Sequence, residues 1–376
     1  MIANEGRVRL LITDDAAFVR KLVQTSLEAD PRIEIAGVAA NGRICITKIP
    51  EVHPDVVVLD VEMPEMDGFA TLGEIRKLYP TLPVILFSSL TEHGATVTLD
   101  ALALGASDYV TKPPATIGGL AAAADYIRAT LGPKVIALGH RYRRQAIGAP
   151  PAPAPQPTTP ALLPPPTRGG TVDVLVIGAS TGGPNAVQTF LEGLFPRINV
   201  PILLVQHMPP VFTRLFAERL GRIPGCKARE AIDGEPIIPG TVLVAPGNQH
   251  LEVSGSATAP RVRLTQAPPE NSCRPAVDVL FRSAATVWGG NTLGVVLTGM
   301  GMDGLRGSEV IRKAGGNVLV QDEATSIVWG MPGSIANSGL ADAVLPIGEL
   351  APEVLRRLRR VRPGVPVPAG SERRTA

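Results

Sequence analysis

The stretch VLVIGASTGGP, residues 174–184, joins an apolar, mostly β-branched run to a turn of small residues. The run stops at Gly178, and the letters ASTGGP follow, with Ser180 among them. Three structures fit this pattern: the phosphate loop of a dinucleotide-binding fold, a nucleophile held on a sharp turn, and a plain strand-to-helix connection. Each of them is a strand followed by a helix, so the stretch predicts an α/β fold. Its chemistry depends on the rest of the chain.

Composition is typical of a globular protein with two or three domains. The chain has 376 residues, 45% of them hydrophobic and 19% charged, and its net charge is +2. This balance argues against a general nucleic-acid binder, although the basic patch HRYRRQ at 140–145 could make a local contact. The first residues, MIANEGRVRL, lack the long apolar run typical of a signal peptide, and no apolar stretch reaches the roughly 18 residues that a membrane span needs. Three scattered cysteines, Cys45, Cys226 and Cys273, show no metal-type spacing, which fits a reduced, cytoplasmic protein without disulfides.

A proline- and alanine-rich segment divides the chain. Residues 148–170, GAPPAPAPQPTTPALLPPPTRGG, have no periodic apolar face and predict an extended spacer. Residues 133–147 before it fit either a basic helix or part of that spacer. We therefore expect a first domain over 7–130, a linker over 131–170, a second domain over 171–362 and a disordered tail over 363–376.

The first domain alternates apolar runs with amphipathic patterns. The runs RVRLLIT, IEIAGVA, DVVVLD, PVILFSS and DYVTK predict five strands of a doubly wound parallel sheet with helices between them. Functional residues gather at the carboxyl ends of such strands. The polar residues at these ends are Asp14, Asp15, Asp60, Ser88 and Lys112.

Carboxylates that converge on one cleft repel each other unless a cation lies among them, and hard oxygen ligands favour Mg²⁺. An aspartate there can accept a phosphoryl group, which a lysine and a hydroxyl can contact. Together with LDVEMPEMDG at 59–68, these residues resemble a response-regulator receiver domain of flavodoxin-like fold. Ala16 departs from the serine that relatives often carry. The resemblance implies Asp60 as phosphoacceptor, Asp14, Asp15 and Asp60 as Mg²⁺ ligands, and Ser88 and Lys112 as switch residues.

The turn at Ser180 fits a nucleophile better than a phosphate loop. A dinucleotide fingerprint needs glycine in its middle position, where this chain has Ser180 between Gly178 and Gly183. No clear acidic residue follows a second strand to bind a ribose. The pattern G-x-S-x-G, from Gly178 to Gly182, fits instead, and it needs a base and an acid.

Two histidines of the second domain are candidate bases. His207 directly follows the apolar run VPILLVQ, at the expected end of a strand, and is preferred. His250 lies deeper in a loop and stays as the alternative. For the acid, Asp303 follows an apolar strand in VVLTGMGMDG, whereas Asp322 and Asp278 are rivals. Glycines at 299, 301 and 304 would let N–H groups face an oxyanion.

Taken together, the motifs resemble the chemotaxis protein-glutamate methylesterase and glutamine deamidase family. They are VIGASTGGP, VQHMPPVFT, VLVAPGNQHL, RPAVDVLF, VVLTGMGMDG and VQDEATSIVWGMP. The resemblance implies a three-layer α/β/α methylesterase domain with Ser180, His207 and Asp303 as its catalytic residues. It also assigns the oxyanion contacts to the N–H groups of Met300 and Thr181.

The resemblance further implies the reaction and the partners. Ser180 would attack a glutamate methyl ester or a glutamine on a methyl-accepting chemoreceptor, without a cofactor for hydrolysis. A histidine kinase would phosphorylate Asp60 and so relieve a receiver that covers the catalytic face. A transcription regulator and a non-catalytic signalling module are the alternative functions.

Overall fold

The computed structural model of the chain describes residues 6–114, 117–146 and 171–358. The predicted spacer at 148–170 and the predicted tail at 363–376 lie outside these residues. Within the described ranges, no helix combines the length and apolarity needed to cross a bilayer.

The N-terminal sheet has the five strands that the sequence predicts. They are β1 Val8–Thr13, β2 Ile33–Ala39, β3 Val56–Asp60, β4 Val84–Ser88 and β5 Asp108–Thr111. All of their pairings are parallel, in the order β2-β1-β3-β4-β5. The helices are α1 Ala17–Glu28, α2 Gly42–Val52, α3 Gly68–Leu78, α4 Glu92–Ala103, α5 Leu120–Thr130 and α6 Gly132–Ala146.

Both faces of the central part of this sheet are buried, which is why β3 and β4 consist mainly of apolar residues. Leu10 and Ile12 of β1 pack with one layer of helices, and Leu11 packs with the other. Each such side chain contributes roughly 1.5–3 kcal/mol on burial. The doubly wound architecture predicted for this half is confirmed.

Helix α6 precedes the predicted spacer. It includes most of residues 133–147, for which the sequence allowed either a basic helix or part of the spacer. Its Val135 and Leu138 are buried against the N-terminal sheet. Gly139 allows the close approach, since a Cβ there would lie 2.3 Å from Val8 Cγ1. An ion pair of 2.6 Å between Lys134 and Asp108 ties α6 to β5.

The C-terminal half contains a larger parallel sheet and a separate hairpin. Its strands are β6 Val174–Ala179, β7 Ile202–Gln206, β8 Lys227–Glu230, β9 Thr241–Val244, β10 His250–Ser256, β11 Ala259–Thr265, β12 Thr292–Val296, β13 Asn317–Gln321 and β14 Ala343–Leu345. Seven of them form one parallel sheet in the order β14-β13-β12-β6-β7-β9-β8, and β10 pairs with β11 antiparallel.

Six helices cover the two faces of the seven-stranded sheet. They are α7 Gly183–Leu194, α8 Phe212–Leu220, α9 Val277–Trp288, α10 Leu305–Lys313, α11 Met331–Asn337 and α12 Ile347–Leu358. Side chains of β6 alternate between the layers: Leu175 and Ile177 pack with α7, α8 and α12, whereas Val174 and Val176 pack with α9, α10 and α11. The predicted three-layer α/β/α fold is confirmed. Strands β6, β7 and β12 lie side by side, so the loops after them share one edge.

Candidate functional site

Ser180 lies in the turn between β6 and α7, at the carboxyl edge of the sheet. Its N–H donates to Thr298 O at 3.1 Å, which joins the turn to the loop after β12. Gly182 has φ of 75°, a left-handed conformation that favours glycine, and it is the N-cap residue directly before α7. Gly299 permits the close approach of the two loops, because a Cβ there would lie 2.9 Å from Ser180 Cβ. The sequence around Ser180 therefore builds a sharp strand-to-helix turn.

His207 and Asp303 form a hydrogen-bonded pair beside this turn. His207 Nε2 lies 2.8 Å from Asp303 Oδ2. Since the carboxylate only accepts, Nε2 carries the proton and Nδ1 is the nitrogen that can act as a base. Burial disfavours the imidazolium, but the hydrogen bonds to Asp303 and Cys273 outweigh it and raise the pKa of His207 to about 9.

Asp303 is held rigidly by the start of α9 and its own loop. The N–H groups of Val277 and Asp278 donate to it at 2.6 and 3.0 Å, and Gly304 N–H donates at 3.0 Å. Burial opposes its charge, yet the hydrogen bonds from His207 and these N–H groups hold the pKa of Asp303 below its usual value. A charged carboxylate is thus fixed against the imidazole.

The side chains of the alternative residues from the sequence have other hydrogen-bond partners. His250 is fully buried, where its Nδ1 accepts from Ala276 N–H at 3.2 Å and its Nε2 lies 3.1 Å from Pro268 O. Asp322 accepts from Thr325 N–H at 3.0 Å in its own turn. Asp278 accepts from Gly307 N–H at 2.6 Å, and burial raises its pKa. Asp303, and neither of its rivals, bonds to His207.

Two further residues contact the site, and the sequence motifs do not predict their role. Asn271 Nδ2 donates to Asp303 Oδ1 and to Asp278 Oδ2, both at 3.0 Å, and so bridges two buried carboxylates. Cys273 Sγ lies 3.5 Å from His207 Nδ1. Both residues belong to a loop with positive φ at Asn271 and Ser272, and they are distant from Ser180 and His207 in sequence. Only the weak turn signal NS at 271–272 marks this loop in the sequence.

The side chains of Ser180 and His207 line the same cavity without a hydrogen bond between them in the described part of the chain. Ser180, His207, Cys273 and Met300 line one cavity of about 430 Å³. Across the described residues, no hydrogen bond joins the Ser180 hydroxyl to His207. The N–H groups of Thr181 and Met300, the predicted oxyanion contacts, are likewise without a protein partner in this part of the chain.

The polar residues of the N-terminal sheet also converge. Lys112 Nζ lies 2.9 Å from Asp14 Oδ2 and 2.8 Å from Asp60 Oδ2. Burial and the charge of Asp14 raise the pKa of Asp60 to about 6, although Lys112 opposes the shift. Asp15 completes a group of three carboxylates with oxygens within 4.8 Å of one another. Ser88 donates to Gly94 O at 3.2 Å and accepts from Thr98 Oγ1 at 2.8 Å.

Comparison with known proteins decides the family. The family described as CheB methylesterase matches residues 175–354, and the response regulator receiver domain matches residues 10–123. A protein-glutamate methylesterase/protein-glutamine glutaminase of Nocardioides sp. is 50% identical over 97% of this chain and 99% of its own. The chain belongs to this family of enzymes.

A relative of the same description from Trichodesmium erythraeum is 47% identical over 94% of this chain and 99% of its own. The CheB methylesterase catalytic domain of Thermotoga maritima is 37% identical, covers 50% of this chain and 99% of its own, and superimposes with a TM-score of 0.48.

The chain is thus a protein-glutamate methylesterase and protein-glutamine glutaminase with a receiver domain, as the motifs predict. Its receiver domain docks on the methylesterase domain through α4 and β5. Arg219 of α8 donates to Leu99 O at 2.9 Å and pairs with Asp100 at 3.1 Å. Asn185 of α7 donates to Leu102 O at 2.7 Å.

Docking brings receiver residues over the cavity that contains Ser180. Tyr109, Thr111 and Tyr126 of the receiver domain line it together with Ser180 and His207. From α6, Arg141 donates to Glu323 O at 3.2 Å and to Ala324 O at 3.0 Å, a second attachment outside the cavity. The cavity is therefore bounded by both domains.

Proposed function

We propose that the chain is a phosphorylation-activated serine hydrolase that acts on methyl-accepting chemoreceptors. It hydrolyses glutamate methyl esters to glutamate and methanol, and it converts glutamine side chains to glutamate and ammonia. The observation that carries the proposal is the His207–Asp303 hydrogen bond, because His207 lines one cavity with Ser180 beneath the receiver domain.

In the hydrolysis, His207 Nδ1 takes the proton of Ser180 as Oγ attacks the side-chain carbonyl carbon. Asp303 holds the imidazole by Nε2 and stabilises its positive charge. The oxyanion accepts from the N–H groups of Thr181 and Met300, and their lack of partners among the described residues supports this role. His207 then protonates the leaving methanol or ammonia. Water attacks the acyl-enzyme with the same base, so hydrolysis needs no cofactor.

In the receiver domain, Asp60 accepts the phosphoryl group from a histidine kinase. Three carboxylates and one lysine leave the acidic cluster with excess negative charge, a donor set that fits a hard divalent cation such as Mg²⁺. Asp14, Asp15 and Asp60 would hold the ion, which when bound neutralises charge between the carboxylates and the phosphoryl oxygens. Lys112 would contact the phosphoryl oxygens, and the Ser88 hydroxyl would turn towards them from Gly94.

Regulation follows from the docked receiver. Tyr109 and Tyr126 narrow the approach to Ser180, so a receptor helix reaches the serine only after the receiver domain moves. A phosphoryl group on Asp60 would favour a receiver surface that docks less well, and so shift the population towards the open state. The absence of a Ser180–His207 hydrogen bond in the described part of the chain fits a closed, weakly active state.

The test is methanol release from methylated receptor, with and without a small-molecule phosphodonor. We expect slow release from the unphosphorylated chain and several-fold faster release with donor. Asp60→Ala should keep the slow rate and lose the response, whereas Asp303→Asn should lose both. Equal rates with and without donor would refute phosphorylation control, and a rate that Asp303→Asn leaves unchanged would refute the catalytic triad.

A further inference from the structure

A thiol lies against the catalytic imidazole on the side away from Asp303. Cys273 Sγ is 3.5 Å from His207 Nδ1, while Nε2 is committed to Asp303 Oδ2 at 2.8 Å. Cys273 is half-buried and lines the cavity that contains Ser180. Two good ligands for a transition metal, a thiol and an imidazole nitrogen, thus face each other at the edge of an open space.

Their separation suits one tetrahedral ion. With zinc–sulfur and zinc–nitrogen bonds of about 2.3 and 2.0–2.1 Å, a tetrahedral angle puts the two ligand atoms roughly 3.5 Å apart. We propose that Cys273 and His207 bind a thiophilic divalent cation, represented by Zn²⁺, and that this cation inhibits hydrolysis. The inhibition, unlike the binding, rests on the proposed role of His207 as the base.

Asp303 supports the imidazole from outside the coordination sphere. A histidine that binds a metal usually donates its other N–H to a carboxylate, which fixes its orientation and strengthens it as a ligand. Asp303 meets this description, because it accepts from His207 Nε2 and also from the N–H groups of Val277, Asp278 and Gly304. Its oxygens are therefore occupied, and the imidazole is already aligned for the ion.

A second feature of the cavity provides a polar partner for the open coordination positions. Thr181 is only 1% exposed and lines the same cavity, and its hydroxyl has no hydrogen-bond partner among the described residues. Zinc sites with few protein ligands complete their shell with water. A water on the ion would give this hydroxyl the partner that it lacks.

The site differs in chemistry from the acidic cluster of the receiver domain. Asp14, Asp15 and Asp60 offer hard oxygen atoms, which favour Mg²⁺, whereas thiolate and imidazole favour zinc and its soft neighbours. The two sites therefore select different cations, and Mg²⁺ in excess should leave the Cys273 site empty.

Occupation would stop the reaction at its first step. The ion replaces the protons on Cys273 Sγ and His207 Nδ1, which leave to solvent, and it forms bonds to both atoms. Nδ1 then has no lone pair for the proton of Ser180. Hydrolysis should stop without displacement of the serine, and a chelator should restore it.

The test uses the full chain in excess Mg²⁺, with Co²⁺ as a coloured probe for Zn²⁺. We expect a thiolate-to-cobalt absorption band in the wild type and in Ser180→Ala, which keeps both ligands. Cys273→Ser should lose the band, and Cys226→Ala, a buried cysteine outside the cavity, should keep it. The Zn²⁺ concentration that halves methanol release should rise about tenfold or more in Cys273→Ser, at least the loss that mutation of an outer-shell partner causes.

Each other result has a definite meaning. A band that survives in Cys273→Ser, or that never forms in the wild type, overturns the binding site. A band that depends on Cys273 while Zn²⁺ leaves hydrolysis unchanged overturns the inhibition. Ser180→Ala at full activity would instead overturn the proposed function, and the band in that variant would still decide the site.

Discussion

Tyr109 of the receiver domain stacks on Phe212 of the methylesterase domain, with ring centroids 4.6 Å apart and ring planes 8° from parallel. Tyr109 lies on β5, three residues before Lys112, which contacts Asp60. Phe212 begins α8, five residues after His207. One ring pair therefore connects the strand that precedes Lys112 of the acidic cluster to the segment that follows the proposed catalytic base.

Loss of this stack should favour the open state. Aromatic pairs contribute about 0.5–1.5 kcal/mol beyond their buried area, which corresponds to a shift of up to roughly tenfold in the docking equilibrium. We expect Tyr109→Ala to raise methanol release by the unphosphorylated chain by up to that factor. Tyr109→Phe keeps the ring and should behave as the wild type. An unchanged basal rate in Tyr109→Ala, with the variant folded, would show that the stack does not restrain the enzyme.

Arginine contacts at the same interface allow a matched comparison. Arg219 reaches Leu99 O and Asp100 of α4, whereas Arg222 is exposed three residues later. Arg219→Ala should therefore raise the basal rate several-fold, and Arg222→Ala should leave it unchanged. Basal rates measured side by side, before and after phosphorylation, check this. Equal effects of the two substitutions would point to loss of charge rather than loss of docking.

Ser180→Ala should abolish methanol release. The variant lacks the nucleophile but keeps the imidazole and the oxyanion donors, so a small residual acceleration over water is the most that it should retain. Phosphorylation of Asp60, measured on the same preparation, should continue and so report an intact receiver domain. Turnover near the wild-type rate would eliminate Ser180 as the nucleophile.

The pH dependence of hydrolysis should follow His207. A base must be neutral, and a pKa near 9 leaves most of the imidazole protonated at neutral pH. The rate of the closed chain should therefore rise from pH 7 towards 9, well above the ordinary histidine value of about 6.5. Because contact with Cys273 contributes to the raised pKa, Cys273→Ala should move the rise to lower pH. Single-turnover rates in the presence of a chelator measure this, and identical profiles for the two proteins would contradict it.

The sequence predicts the strands well because both sheets are buried on both faces. The run VLVIGA has no polar side chain and NVLVQ is apolar between its two ends, and β6 and β13 coincide with these runs. The same rule places Ser180 and His207, since each directly follows a strand whose carboxyl end reaches the shared edge. Their meeting depends on β6 and β7 being neighbours in the sheet, which the observed pairing of these two strands shows.

The remainder of the site depends on contacts that no local pattern encodes. Asp303 is the preferred acid by position, but Asp322 also follows an apolar strand, and only the folded structure shows that the N–H groups at the start of α9 are aimed at Asp303. Cys273 and Asn271 reach the site from a loop more than 60 residues beyond His207. The face of the receiver domain that docks is likewise a property of two folded surfaces.

Removal of the receiver domain tests directly whether this domain blocks access to Ser180. A fragment over 171–376 lacks Tyr109, Thr111 and Tyr126, the receiver side chains that line the cavity around Ser180. We expect this fragment to release methanol faster than the unphosphorylated chain, because the receptor helix no longer competes with the receiver for the carboxyl edge of the sheet. Phosphorylation of the full chain should remove much of that difference in rate. In Asp60→Ala the phosphodonor should have no such effect, so the difference should remain. If the folded fragment were no faster than the full chain, the receiver would have to act by positive contacts or by localisation, and the raised basal rates expected of Tyr109→Ala and Arg219→Ala should then also be absent.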